Sequence, residues 1–199
     1  TDQTIEAYER VLKAAEASEL DAIDARIEAH QSIAQMFTLM GQYEQAHKHL
    51  SIAHQLLPAQ PNDPQSIDLL GRLERDEANL LRNQGLYPEA LACVERGLEP
   101  PSIAETLTGS QLLMQKAGLL QRQGNYDEAK RWIRRTLDLV SQLSGEEALK
   151  IRAHALYLLA YIASIHNDPE QALVLGQESL TVYERLQDLL GEIDARNNL

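Results

Sequence analysis

Along this chain, small residues recur in a fixed frame among larger apolar ones, and the polar residues fall between them. Four short segments set the frame: Gly41-Gln42-Tyr43-Glu44-Gln45-Ala46, Gly85-Leu86-Tyr87-Pro88-Glu89-Ala90, Gly124-Asn125-Tyr126-Asp127-Glu128-Ala129 and Asn167-Asp168-Pro169-Glu170-Gln171-Ala172. A weaker copy ends at Ala7, so the anchor alanines 7, 46, 90, 129 and 172 lie 39, 44, 39 and 43 residues apart. Twelve residues before the last four anchors stand Ala34, Ala78, Ala117 and Ala160. Seven residues after the five anchors stand Ala14, Ala53, Gly97, Thr136 and Ser179, all small. A repeat of this length is the signature of a stacked array rather than of a single closed core.

The frame predicts one helix pair per repeat. The first helix carries an alanine where its partner crosses closely, and a Gly or Asn ends it in the left-handed conformation. The second helix presents two small residues two turns apart, which lets the axes approach while larger residues fill the remaining space. In the third repeat those larger residues are Leu112, Leu113, Leu119, Leu120, Trp132, Ile133, Leu137 and Val140. Asp63-Pro64 and Asp168-Pro169 read as caps followed by a proline in the first turn. Ser102-x-x-Glu105 and Ser144-x-x-Glu147 read as capping boxes. The predicted helices are 3–19, 21–40, 43–57, 64–84, 87–98, 103–123, 126–143, 146–166, 169–187 and 189–199.

These positions resemble the tetratricopeptide repeat, which has small residues at its positions 8 and 27, Gly near 15, an aromatic near 17 and Ala at 20. Ala34, Gly41, Tyr43, Ala46 and Ala53 match in one repeat, and Ala117, Gly124, Tyr126, Ala129 and Thr136 in another. The repeats here are longer than the family's usual length, and its Trp at position 4 is replaced by His30, Glu74, Leu113 and Leu156. Pro58 stands at the late proline position. Longer repeats of this sort are similar to those of large bacterial signalling regulators. The resemblance implies an all-α, right-handed superhelical solenoid of antiparallel helix pairs, about ten helices in one domain over 1–199. The second helix of a preceding repeat would occupy 1–20, four full repeats 21–63, 64–102, 103–145 and 146–188, and a further first helix 189–199. The expectation is a fragment of a larger protein, with uncapped ends open to self-association.

The resemblance also implies that first helices line a concave binding face, with ligand-facing positions 2, 5, 9 and 12. Carried across, these are Glu28, Gln31, Gln35 and Thr38, then Arg72, Arg75, Asn79 and Arg82. The third repeat gives Gln111, Met114, Gly118 and Gln121, and the fourth His154, Tyr157, Tyr161 and Ser164. Arg72, Arg75, Asn79 and Arg82 form the stripe best suited to carboxylates or backbone carbonyls, with pairing of the arginines to Glu74, Asp76, Glu77 or neighbouring helices as the alternative. Arg75 and Asn79 echo the family's clamp for acidic peptide C-termini, and the other clamp positions do not match. Tyr157 and Tyr161 fit an aromatic anchor, with plain packing between first helices as the alternative.

Composition narrows the rest. The net charge of −12 disfavours a phosphate-gripping surface, so no nucleic-acid partner is expected. Lys130-Arg131-Trp132-Ile133-Arg134-Arg135 is the basic exception, read as a solvated face of a second helix. Cys93 alone makes no internal disulfide, which fits the cytoplasm. No continuous apolar run approaches a membrane span. His47, His49 and His54 lack the spacing of a helical zinc pair, and Cys93 has no sequence-adjacent histidine. Neither metal nor cofactor is expected, nor catalysis, because no phosphate loop, nucleophile elbow or paired-carboxylate motif occurs. The expected function is protein or peptide binding within a larger cytoplasmic, bacterial regulator; the alternative is a domain sensing a small-molecule effector.

Overall fold

The computed structural model describes residues 23–197, together with Arg10 and Lys13. The predicted helix 3–19 and the fifth repeat copy at Ala7 and Ala14 lie outside the described residues. Among those described, regular structure is entirely helical. The helices are α1 (Ile23–Leu39), α2 (Tyr43–Leu56), α3 (Pro64–Asn83), α4 (Tyr87–Leu98), α5 (Leu107–Arg122), α6 (Tyr126–Val140), α7 (Glu146–Ile165), α8 (Pro169–Leu186) and α9 (Leu189–Asn197). A 3-10 turn, Pro101–Ile103, follows α4. The chain divides into two compact units, Thr1–Ile103 and Ala104–Leu199.

Each first helix (α1, α3, α5, α7) ends by one repeated device. Gly41, Gly85 and Gly124 take φ of 72°, 79° and 81°, and Asn167 takes 58°. The amide three residues past the helix then reaches back to an orphan carbonyl: Gln42 to Phe37, Leu86 to Leu81, Asn125 to Leu120 and Asp168 to Ala163, at 2.9 to 3.0 Å. The sequence predicts these four ends correctly. Asp63 caps α3 through the amides of Gln65 and Ser66, and Asp168 caps α8 through that of Gln171.

Two predicted starts are corrected. Thr106, not Ser102, caps α5, accepting from the Gly109 amide at 3.0 Å. The Ile103 amide instead donates to Pro100 at 3.1 Å, closing the 3-10 turn over the stretch assigned to helix. Ser144 does not cap α7, because Gly145 at φ 108° turns the backbone between it and the helix. Glu147, the other half of the expected box, pairs with Lys150 at 3.1 Å.

The small-residue frame is the packing frame. Ala34, Ala46, Ala53, Ala78, Ala90, Ala117, Ala129, Thr136, Ala160 and Ser179 are all at most 1% exposed. In the first unit, Ile27, Leu50, Leu69, Leu73 and Leu80 fill the space around Ala34, Ala46 and Ala53. In the second, Leu120, Ile133, Val140, Ile151 and Ile162 surround Ala117 and Ala129. A fully buried aliphatic side chain contributes about 1.5–3 kcal/mol, so these layers supply much of each unit's cohesion. Ser179 adds a directional tie, donating its hydroxyl to the Ala153 carbonyl of α7 at 2.8 Å.

Helix α7 is the helix that bears on the membrane reading. Over an 18-residue window its mean hydropathy is 1.3, so by length and composition it is apolar enough to cross a bilayer. No uninterrupted apolar run marks it, because Lys150, Arg152 and His154 punctuate the helix. Its other face enters the core through Ile151, Ala155, Leu158 and Ile162.

Candidate functional site

In the first unit, α1 and α3 are successive first helices, and their predicted ligand-facing positions come together. Gln35 and Thr38 of α1 and Arg75 and Asn79 of α3 line one pocket of about 340 Å³. Ala34, Met36, Leu39 and Leu50 supply its apolar wall, and Asp76 completes its lining.

Asp76 organises the polar side of this groove. Its Oδ2 accepts from Gln31 Nε2 at 2.6 Å and from Gln35 Nε2 at 2.7 Å, joining α1 to α3. Its Oδ1 meets Arg75 Nη2 at 3.3 Å and Nε at 3.4 Å. The residue is 8% exposed, and such a buried carboxylate requires partners of this kind. Sequence reasoning names it only as one acid that could pair with the α3 arginines, not as the residue that joins α1 to α3. The signal was present, because Leu69, Leu73, Asp76 and Leu80 are spaced 4-3-4, which sets an acid inside an apolar stripe.

The arginine stripe of α3 does lie on one face, but acids of the same unit engage it. Arg72 bonds Glu28 at 3.0 Å and lies 3.5 Å from Asp68. Arg82 donates to the Asn79 side-chain carbonyl. Gln31 and Thr38 are buried, and Thr38 returns its hydroxyl to the Ala34 carbonyl at 2.8 Å. Of the eight carried-over positions here, Gln35, Arg75 and Asn79 are the half-buried ones that line the groove.

In the second unit the same positions divide. Met114 is 4% exposed and belongs to the core, so it offers little surface to a partner. The reason is rotational phase: Met114, Ala117 and Leu120 form the stripe of α5 that packs on α6 and α7. Gln111, Gly118 and Gln121 are half-buried. On α7, His154 is exposed and stacks on Tyr157 with ring centroids 6.1 Å apart. Tyr157 and Tyr161 are half-buried against the core, each with an edge left at the surface, and Ser164 is exposed.

The remaining candidates fall elsewhere. Arg131, Arg134 and Arg135 are exposed on α6, while Ile133 is buried. Trp132 is half-buried between cations, with Lys116 Nζ 4.4 Å and the Arg135 guanidinium 5.6 Å from its ring. Cys93 is buried, with Arg96 Nη2 3.1 Å from its sulfur; burial pushes its thiol above the ordinary range despite that cation. Arg96 chiefly serves Glu74, a forked pair at 2.8 and 3.1 Å, and this contact holds its guanidinium more firmly protonated than usual. His47 bonds Glu77 at 3.0 Å, and His30 Nδ1 lies 2.9 Å from His49 Nδ1. Among the described residues, no three His, Cys, Asp or Glu side chains gather as a metal would require.

Comparison with known proteins adds the family context. Residues 110–185 match a sequence model described as the tetratricopeptide repeat. No curated protein matches the chain. Among solved structures, BtubC (BKLC) from P. vanneervenii aligns with a TM-score of 0.77 at 15% identity, over 99% of this chain and 83% of that one. That likeness shows a shared fold. PilF of Pseudomonas aeruginosa aligns over 90% of this chain and 100% of its own, at 13% identity and a TM-score of 0.36.

Proposed function

We propose that the chain, which matches the tetratricopeptide-repeat model over residues 110–185, is a protein-interaction scaffold, binding a peptide or partner segment along its first helices. Repeats of this family generally mediate protein–protein association and generally act as scaffolds rather than catalysts. The observation that carries the reading is the α1–α3 groove, where Gln35, Thr38, Arg75 and Asn79 converge beside an apolar wall. Packed helices hold those groups in place before a partner arrives, which lowers the ordering cost of binding. We place the scaffold in a larger cytoplasmic, bacterial regulator, in keeping with a single buried thiol that needs no oxidising compartment. The outward side of α9, where Leu189, Leu190 and Ile193 are 71%, 78% and 56% exposed, is the surface through which copies would associate.

A photo-crosslinking amino acid at position 79, compared with one at exposed position 131 on α6, tests the reading in source-cell lysate. The expected result is a discrete polypeptide adduct at 79 and none at 131. Adducts at 131 alone refute the groove. A melting shift with a metabolite fraction, in the absence of any polypeptide adduct, favours the small-molecule sensor instead.

A further inference from the structure

We propose that the α1–α3 groove reads the main chain of an extended peptide, one N–H and one C=O, rather than a charged side chain; this rests on the peptide-binding reading above. The charges in the lining are already committed to each other. Asp76 has both oxygens engaged, Oδ2 by Gln31 and Gln35 at 2.6 and 2.7 Å and Oδ1 by Arg75 at 3.3 Å. Arg75 and Asp76 are the charged residues of the lining, and together they carry no net charge. Selection by a charged group therefore has no basis in this pocket.

Two half-buried amides of the lining, Gln35 and Asn79, keep hydrogen-bonding capacity, and their partners fix which end of each is open. An ionised carboxylate only accepts, so Gln35 turns its Nε2 to Asp76 and keeps Oε1 as an open acceptor. A guanidinium only donates, so Asn79 turns its Oδ1 to Arg82 and keeps the two N–H groups of Nδ2 as open donors. Within the described residues, no hydrogen bond takes up Gln35 Oε1 or Asn79 Nδ2. The groove thus offers one acceptor from α1 and one donor from α3, both oriented before a partner arrives. A carboxylate terminus has no donor for Gln35, and an ammonium has no acceptor for Asn79. Either ligand would leave one of these amides unsatisfied on burial. Each residue of an extended chain carries one N–H and one C=O and satisfies both. Ala34, Met36, Leu39 and Leu50 form the wall beside them and suit an apolar side chain of the same segment. The arrangement departs from a clamp for acidic C-termini, although Arg75 and Asn79 echo that clamp in sequence.

The test begins with selection of a random-peptide phage library on the full chain, and enriched clones are resynthesised and measured by fluorescence polarisation. Each peptide is then remade with one backbone amide at a time replaced by an ester, which removes an N–H and leaves the protein unaltered. The same peptides are titrated against Gln35→Met, which lacks the open acceptor, and Asn79→Asp, which keeps an acceptor for Arg82 but lacks the donor. Circular dichroism melts confirm that both variants fold. The expected result is one ester position that weakens binding about three- to tenfold, as loss of one neutral hydrogen bond implies. Gln35→Met weakens the parent peptide by a similar factor, and the ester then adds no further loss. Asn79→Asp weakens every enriched peptide, and added salt changes affinity by less than about twofold. Peptides that share a charged, Asn or Gln residue and tolerate every ester, yet fail on Asn79→Asp, overturn the main-chain reading and leave the groove as the binding face. An ester loss that persists in full on Gln35→Met overturns it in the same way. Peptides indifferent to both substitutions, or no enrichment at all, overturn both readings.

Discussion

Ala117 and Gly118 are neighbours on α5 with opposite surroundings, and that difference fixes the sign of two substitutions. Ala117 is fully buried among Leu120, Ala129, Ile133 and Ile151, where α6 and α7 close on the helix. Ala117→Leu forces the rest of a leucine side chain into filled space, and overpacking of that kind costs about 1–3 kcal/mol. At Gly118 an added Cβ meets nothing within 4 Å. The backbone there is helical, so Gly118→Ala removes conformational freedom from the unfolded chain at no steric cost and stabilises by about 0.5–1 kcal/mol. Adjacent residues should thus differ by about 1.5–4 kcal/mol with opposite signs. Urea titration of the full chain, followed by circular dichroism, reads this directly. With a slope of about 1–3 kcal/mol per molar, the Ala117→Leu midpoint falls by about 1 M and the Gly118→Ala midpoint rises by a few tenths. If Ala117→Leu shifts stability by less than about 0.5 kcal/mol, the close crossing read into the small-residue frame is wrong. If Gly118→Ala destabilises, the space beside Gly118 is not open to an added Cβ.

Three further outcomes follow from the same physics. Gly124→Ala places a Cβ at φ 81° and should lower stability by about 1–2 kcal/mol in the same titration; Asn167→Gly at φ 58° should be neutral or slightly stabilising, and a reversed order would contradict the helix-end account. The Cys93 thiol, pushed up by burial, stays protonated at neutral pH. A thiol-specific chromogenic reagent should therefore label it in denaturant and react far more slowly with the native chain, whereas prompt native labelling would show that the α4 packing opens. Leu189→Glu/Ile193→Glu should convert any self-associated form to monomer in light scattering while leaving the melting profile of α1–α4 intact. Association that survives both changes places the interface elsewhere.

The parts of the fold legible in the sequence are those set by the backbone or by local spacing. Gly41, Gly85, Gly124 and Asn167 announce helix ends because few residues tolerate positive φ. The alanine frame announces helix crossings because a close approach excludes larger side chains. What was not legible depends on helix rotation and on partners far along the chain. Met114 satisfies a surface spacing, yet it faces the core, because a small turn of α5 decides which stripe meets α6. Pairing of the α3 arginines with acids of their own helix was legible as an alternative, but the Glu28 partner of Arg72 was not, because it lies 44 residues away. The start of α5 was misplaced because Ser102 satisfies a capping pattern that the 3-10 turn at Pro101 pre-empts. Asp76 reads in sequence only as one acid beside the arginines; its bonds to Gln31 and Gln35, 45 and 41 residues away, were not legible.

The central claim is that the face formed by α1 and α3 is where this protein meets its partner. The direct measurement is affinity capture from source-cell lysate with wild type and with Arg75→Ala/Asn79→Ala, quantified by mass spectrometry after both proteins are shown to melt alike. The account predicts a specific polypeptide retained by wild type and depleted at least about tenfold by the double substitution, as the loss of two polar contacts to a partner implies. Equal capture by both proteins, with loss on Arg131→Ala/Arg134→Ala/Arg135→Ala, would contradict it and move the binding face to the exposed side of α6.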